Sequence, residues 1–232
     1  MYNIILDKKN IDIKIINRRR IRKVTLTVKD GKVIVVKPYY TSIEYVKDMI
    51  YTSKEKILKY IDDTSSKVTF EDGTKLLYLG EEYNLHIILT KSKKASATLE
   101  NKTITIYIND KDATRENIKK IYIKLLKDTT KSIIEKKLET FSKITNIKYE
   151  SYKIRYMTTR WGSCVSSNKT LNFNVKIAML PDNVIDSIVV HELCHIVEAN
   201  HKKEFWNLVY KYIPDYDKCS NWLKVNNYLI NI

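Results

Sequence analysis

The chain has few of the residues and segments that characterise disulfide-bonded and membrane proteins. Three of its 232 residues are cysteine, scattered and without a CxxC pair, so we expect reduced thiols rather than a disulfide framework. No apolar run approaches the roughly 18 residues that a spanning helix needs. The N-terminus also lacks the basic segment, apolar stretch and small-residue cleavage site of a signal peptide. These absences predict a cytoplasmic protein with no membrane partner.

Glycine and proline are also scarce, with four and three residues respectively. The chain contains no internal repeat and no low-complexity linker. Hydrophobic residues make up 44% and charged residues 30%, a balance typical of globular rather than disordered proteins. The length suffices for one large domain or two small ones with a buried core.

Positive charge is abundant, with a net charge of +15 and a sequence pI of about 9.5. Such a balance favours anionic partners, with nucleic acid first among them. The lysines are spread along the chain, however, and the only tight basic cluster is Arg18–Lys23. The charge therefore indicates either a nucleic-acid contact or a solvated basic surface of a compositionally biased chain.

Strand patterns dominate the first half of the sequence. Asp30-Gly31 is a two-residue hairpin signal, and Thr41 or Ser42 can cap a helix running to about Ile61. Segments of alternating apolar and polar residues predict strands at Ile11–Ile16, Arg22–Lys29, Lys32–Lys37, Leu76–Leu79, Tyr83–Leu89, Ala95–Glu100 and Thr103–Ile108.

Helical periodicity takes over after residue 110. Apolar residues recur at three- and four-residue intervals from about Thr114 to Phe141. Two strands of a small sheet follow, at Tyr152–Met157 and Thr170–Val175, joined through Arg160–Cys164. Three helices then close the chain, opening at Pro181, Lys203 and Tyr216, of which the last two end at Tyr212 and Tyr228.

Residues His191 to His195 form an HExxH sequence. On a helix, residues four apart share one face, so both imidazoles can reach one ion. Zinc prefers four ligands, and Glu192 can approach the fourth position, where it would take a proton from a zinc-bound water and return it to a leaving amine. We therefore expect a Zn²⁺ cofactor, with His191 and His195 as ligands and Glu192 as the catalytic base.

His201 is the candidate third metal ligand, although it lies six residues beyond His195. To reach the same ion, the helix must end between the two histidines, and Asn200 tolerates the left-handed backbone that ends helices. The spacing equals that of the metzincin pattern, but Glu198 replaces its glycine and no methionine follows Met179. Glu198 and Glu204 remain rival third ligands, since carboxylates serve that role in other HExxH enzymes.

Several motifs together resemble the YgjP-like family of predicted metal-dependent hydrolases, related to the SprT and WLM groups of small zinc peptidases. The motifs are His191-Glu-Leu-Cys-His, Asn200-His201-Lys-Lys-Glu-Phe-Trp206, Arg160-Trp-Gly-Ser-Cys164, Arg18–Lys23 and Tyr78–Tyr83. The likeness covers most of the chain. It implies a zinc-binding HExxH helix, His201 as third ligand and Glu192 as general base, with no implied substrate.

The fold expected from these patterns is α+β. We predict a β-rich N-terminal region at residues 1–110 and a zincin-like metallopeptidase domain at 111–232, in which the HExxH helix packs on a short sheet. An edge strand beside such a helix can hold an extended peptide, and either Leu171–Asn174 or the loop Trp161–Ser163 could do so. Trp161, Gly162 and Ser163 are therefore candidate substrate-binding residues. Alternatively, Trp161 simply packs the catalytic core.

Three functions compete. The first is a zinc metallopeptidase acting on polypeptide. The second is a DNA-associated protease that cleaves DNA-bound proteins, which the basic charge favours. The third is a non-enzymatic binding or regulatory module with a structural zinc, which would require a closed four-ligand site. Neither the natural substrate nor the oligomeric state follows from the sequence.

Overall fold

A computed structural model describes residues 2–7, 9–29, 32–58, 68–226, 230 and 232. Backbone contacts separate the chain into two compact units, Met1–Lys67 with Asn231–Ile232, and Val68–Ile230. The division expected at residue 110 marked a change from β-rich to catalytic sequence, and as a domain boundary it stays a prediction.

The first unit is a four-stranded sheet with one helix. Its strands are β1 (Tyr2–Leu6), β2 (Lys9–Arg18), β3 (Thr25–Lys29) and β4 (Lys32–Pro38), in the order β1-β2-β4-β3. Alternate residues of β2 and β4, such as Ile13 and Val35, are buried with Val46 and Ile50 of helix α1 (Ile43–Thr52). The alternating pattern thus supplies one apolar sheet face, and α1 covers it.

Most of this unit agrees with the sequence predictions. β3 and β4 pair antiparallel, as a hairpin requires, but the turn residues Asp30 and Gly31 lie outside the described residues. The Ser42 side chain accepts from Tyr45 N and caps α1. The predicted single helix to Ile61 is wrong as drawn, because α1 ends at Thr52 and helical residues resume at 54–58. Residues 59–61 lie outside the described part.

The second unit contains a four-stranded sheet and a long helix. The strands are β5 (Lys75–Tyr78), β6 (Glu81–Thr90), β7 (Ser96–Glu100) and β8 (Thr103–Asn109), in the order β5-β6-β8-β7. Helix α2 (Arg115–Thr145) is capped by Thr114 and ends at Asn146, whose φ is 56°. Its buried stripe includes Tyr122, whose hydroxyl donates to Leu77 O of β5. That bond ties α2 to the sheet.

A three-stranded sheet and three helices complete this unit. The strands are β9 (Ser151–Arg155), β10 (Gly162–Val165) and β11 (Thr170–Asn174), in the order β10-β11-β9. The helices are α3 (Asp182–Val197), α4 (Lys203–Tyr212) and α5 (Tyr216–Val225). β10 was expected as a loop, but it pairs antiparallel with β11 and forms an edge of this sheet. The structure is therefore mixed α+β, as expected.

Among the described residues, no helix combines the length and the apolar character needed to cross a bilayer.

Candidate metal centre

Helix α3 carries the HExxH motif through the interior of the second unit. Its residues Ile185, Val189, Val190 and Leu193 are fully buried, so the helix forms where its apolar surface packs on all sides. Pro181 precedes its first turn, where a missing N–H costs nothing. Helix α3 packs against β10, α2, α4 and α5. These contacts hold the motif in a rigid setting.

The helix ends earlier than the sequence suggested. It stops at Val197, and Glu198 adopts an extended backbone with φ −120° and ψ 97°. Asn200 is not among the residues with positive φ, so its predicted role as a left-handed helix end is wrong. The required break between His195 and His201 is nevertheless present. It lets His201 turn back toward the helix.

The three histidines meet at one point. His191 Nε2 lies 3.2 Å from His195 Nε2 and 3.1 Å from His201 Nε2. Within the described part of the chain, these are the residues whose ligand atoms group closely enough to hold a metal ion. Neither Glu198 nor Glu204 belongs to that group.

The donor set fits zinc. Two imidazole nitrogens bound at 2.0–2.1 Å to one tetrahedral ion are about 3.3 Å apart, close to the separations found here. All three donors are imidazole nitrogens, which suit zinc among the common divalent ions. Three histidines also leave a fourth coordination position for water or substrate, as in catalytic rather than structural zinc sites.

Hydrogen bonds at Nδ1 orient two of the three imidazole rings. His195 Nδ1 lies 3.1 Å from the carbonyl oxygen of Glu198, which can only accept, so Nδ1 carries the proton and Nε2 presents its lone pair. His191 Nδ1 lies 2.9 Å from the Tyr216 hydroxyl. Such partners fix ring orientation and tautomer in metal sites.

Aromatic rings surround the histidines. The fully buried Phe205 contacts all three, with ring centroids 4.9 Å from His191, 4.4 Å from His195 and 4.7 Å from His201. Trp206 stacks on His201 at 5.6 Å. These contacts restrict the rotation of the imidazoles, and both aromatic residues come from α4.

The surroundings keep the imidazoles neutral. Burial, and secondarily the neighbouring His195 and His201, lower the pKa of His191 to about 3. Burial also lowers the pKa of His195. A neutral imidazole has the lone pair that a metal requires, so both rings are available as ligands at neutral pH.

Glu192 lies beside the histidines with its carboxylate enclosed. It is 6% exposed, and its Oε2 has no hydrogen-bond partner among the described residues. Burial raises the pKa of Glu192 to about 8, and the charge of Arg160 partly opposes that shift. A buried carboxylate oxygen without a partner is costly, which is expected where a cation or a polar substrate completes the site.

Gly162 makes room for this carboxylate. A Cβ at residue 162 would lie 2.5 Å from Glu192 Oε1 and 2.6 Å from its Cγ. No side chain larger than hydrogen fits there unless Glu192 moves. The β10 backbone therefore forms the wall against which the carboxylate rests.

An open cleft of about 350 Å³ exposes the group to solvent. Gly162 and Ser163 contribute to its lining, together with Arg160, Glu192 and the three histidines. Trp161 does not line it, although its carbonyl accepts from Asn174 N at 2.8 Å and so anchors the strand. Two of the three predicted substrate-binding residues thus face the cleft, and their role stays a prediction.

Cys194 lies inside the motif but away from the metal-binding group. It is fully buried in a cluster with Val190, Phe205 and Val209. Burial raises the pKa of its thiol to about 12, so it stays protonated at neutral pH. A packing role explains it.

The sequence patterns did not predict that Tyr216 and Phe205 contact the histidines. Tyr216 was placed at the start of a helix and Phe205 only within a family motif. No local spacing connects residue 216 to residue 191, because the contact depends on how α5 packs on α3. The sequence signal that could have indicated these contacts is the pair of large aromatic residues, Phe205 and Trp206, that follows closely after His201.

Tyr216→Phe tests the outer bond to His191. Removing a hydrogen-bond partner of this kind weakens metal affinity by about 10–100-fold, and we expect such a loss in competition titrations with a chromogenic zinc chelator. Tyr210→Phe is the matched control, because the Tyr210 hydroxyl bonds to Asp217 instead. Equal zinc affinity in the two variants would contradict the positioning role.

Burial of Glu192 predicts a pH-dependent stability in the metal-free protein. Its folded pKa, about 8, lies above the ordinary glutamate value of 4.5, so the folded state holds the proton more tightly and loses stability as pH rises between these values. Glu192→Gln removes the ionisation. We expect the free energy of unfolding of the variant, relative to the chelator-treated parent, to increase from pH 5 to pH 9. A difference independent of pH would contradict this.

Comparison with known proteins assigns the family. Residues 22–226 match the family described as YgjP-like, metallopeptidase domain. No match was found among the curated proteins. The crystal structure of the metallopeptidase zymogen of Pyrococcus abyssi abylysin is similar at 20% identity and a TM-score of 0.37, covering 40% of this chain and 92% of that chain. That of Methanocaldococcus jannaschii jannalysin is similar at 24% identity and a TM-score of 0.33, covering 40% and 85%. Because the family match spans most of its length, the chain belongs to the YgjP-like metallopeptidase domain family, and the resemblance seen in the sequence is confirmed.

Proposed function

We propose that the protein is a zinc-dependent peptidase that cleaves polypeptide with Glu192 as the general base. The observation that carries the proposal is the convergence of three imidazole Nε2 atoms beside a buried carboxylate in an open cleft. Membership of a metallopeptidase family supports the same reaction class.

His191, His195 and His201 would hold the ion. When bound, zinc acts as a Lewis acid that lowers the pKa of a coordinated water from 15.7 to about 7. The imidazoles are neutral donors, so they would not reduce the positive charge of the ion. The bonds from Glu198 O and Tyr216 to the outer nitrogens hold the rings in place.

Glu192 moves the proton. Its carboxylate lies in the cleft, next to the metal-binding group, and is held between α3 and the Gly162 backbone. It takes the proton of the attacking water as the new C–O bond forms at the scissile carbonyl. It then delivers that proton to the amine as the C–N bond breaks. Arg160, which lines the same cleft, adds a positive charge that favours the ionised carboxylate.

Strand β10 supports an extended substrate. It is an edge strand of its sheet, paired on one side with β11. An extended peptide can add to such an edge through main-chain hydrogen bonds, which would bring its carbonyl groups past Gly162 and Ser163. We infer that Trp161 acts through packing, since it does not line the cleft.

The alternative of a structural zinc is less well supported. A structural site has four protein ligands, whereas the described residues supply a group of three. Coordination found by X-ray absorption would decide the matter, because four protein ligands would leave no position for water.

Glu192→Gln is the direct test of the mechanism. We expect zinc content, measured by elemental mass spectrometry, to stay near one ion per chain while kcat in a peptide-library cleavage assay falls about 10²–10⁴-fold, the usual contribution of a general base.

Glu204→Gln provides the control for that experiment. It makes the same chemical change at an exposed residue of α4, and cleavage should persist. Full activity in Glu192→Gln would rule out the proposed base. Loss of zinc or activity in Glu204→Gln would instead restore this glutamate as a ligand.

Gly162→Ala tests the fit between β10 and Glu192. The added methyl must displace a carboxylate that lies 2.5 Å from its position, and a misplacement of about 1 Å in a catalytic group can cost about 10²-fold. We expect kcat/KM to fall by about that factor with zinc retained. Val165→Ala on the same strand should leave kcat/KM nearly unchanged. Parental activity in Gly162→Ala would show that Glu192 need not occupy this position.

A further inference from the structure

One end of the first unit's sheet carries basic and tyrosine side chains that the peptidase reaction does not use. β2 and β4 are parallel and in register at Arg18 and Pro38, so their carboxyl ends meet at the same edge. The connection from β2 to β3, residues 19–24, begins there. A turn from Pro38 to Thr41, closed by Thr41 N donating to Pro38 O at 3.2 Å, leads into α1.

The cations at this edge are exposed and unpaired. Arg18, Arg19, Arg20, Arg22 and Lys23 are all exposed, and within the described part of the chain none forms an ion pair. Residues 1–67 contain sixteen Lys and Arg against eight Asp and Glu, so this unit has +8 of the total charge of +15. Basic side chains without acidic neighbours create a positive potential that attracts anions.

A cleft of about 500 Å³ opens among these residues. Its lining residues are Arg22, Lys23, Val24, Pro38, Thr41 and Tyr45. Beneath the turn, the buried Lys37 donates from Nζ to Thr41 O at 2.6 Å, which adds a fixed positive charge. Glu44, in the first turn of α1, does not line the cleft. The space is therefore suited to an anionic group of phosphate size or larger.

Tyrosine rings project beside the cleft. Tyr39 and Tyr40, at the tip of the turn, are 74% and 77% exposed, and Tyr45 is 56% exposed. Exposed aromatic rings next to unpaired cations are the two components with which proteins hold single strands, since phosphates meet the cations and bases stack on the rings. In a duplex the base faces are already stacked on one another, so the rings would gain little.

We propose that this basic–tyrosine face, comprising Arg18, Arg19, Arg20, Arg22, Lys23, Tyr39, Tyr40 and Tyr45, binds single-stranded nucleic acid. The backbone phosphates lie along Arg18, Arg22 and Lys23, and unpaired bases stack on Tyr39 and Tyr40. The site goes beyond the peptidase function and does not depend on it, because its residues belong to the first unit and include none of the histidines of the metal-binding group.

Fluorescence anisotropy with the full-length chain tests the proposal. The probes are a labelled 20-nucleotide oligothymidylate, the same-length RNA and a 20-base-pair duplex, each titrated over a series of salt concentrations. We expect the single strands to bind at least tenfold more tightly than the duplex at equal salt. Zinc content and peptide cleavage are read separately, so failure of either proposal is visible without the other.

Two sets of substitutions separate charge from stacking. Arg18→Gln/Arg22→Gln/Lys23→Gln should reduce the magnitude of the salt slope of log K by about 2, since each lost phosphate contact removes about 0.7 from it. Tyr39→Ala/Tyr40→Ala should keep the slope but lower affinity at least fivefold, within the range for lost base stacking. Tyr39→Phe/Tyr40→Phe should retain affinity. These side chains are exposed, and circular dichroism verifies folding.

A matched control removes the same charge elsewhere. Lys91→Gln/Lys93→Gln/Lys94→Gln neutralises three exposed lysines of the second unit and should change affinity little. The proposal is overturned if this control loses as much affinity as the Arg18 triple variant. It is also overturned if the tyrosine variant binds like the parent, or if the duplex or polyglutamate binds as tightly as the oligonucleotide.

Discussion

His191 Nε2 lies 3.2 Å from His195 Nε2 and 3.1 Å from His201 Nε2, and the surrounding structure keeps these nitrogens pointed at each other. Burial and mutual repulsion lower the pKa of His191, while Glu198 O and the Tyr216 hydroxyl hold the outer nitrogens. Phe205 contacts all three rings. A metal ion held by these histidines would therefore stabilise the folded state, because ligands of this kind are brought together only by folding.

The burial of Glu192 also has a free-energy cost. Its carboxylate is buried, and one of its oxygens has no hydrogen-bond partner among the described residues. Burying such an oxygen destabilises the folded state. A cation held by the three histidines would offset that cost. Gly162 allows the approach because it has no Cβ. Strand β10 thus forms the wall beside the Glu192 carboxylate and is also an edge strand of its sheet.

The first unit has a different chemistry. Its charge is denser than that of the second unit. Its arginines form no ion pair within the described part of the chain, and Tyr39, Tyr40 and Tyr45 are exposed. Binding a polyanion at such a face requires no metal and no buried base. A peptidase reaction and a nucleic-acid contact can therefore be lost independently by substitution, which is what makes the two proposals separable.

The parts of this protein that sequence alone predicted are those governed by local geometry. Sequence patterns placed the described strands other than β1 and β10, three- and four-residue spacing placed α2, and α4 was predicted with its observed bounds, Lys203–Tyr212. The HExxH spacing likewise placed His191 and His195 on one helix face, because residues four apart lie about one turn apart on the same side of a helix. Where α3 ends was misjudged, and β10 was mistaken for a loop, since helix ends and edge strands are decided by packing partners. Tyr216 and Gly162 reach the site from 25 and 30 residues away along the chain. No periodicity connects such positions, and only the docking of α5 and β10 on α3 brings them together.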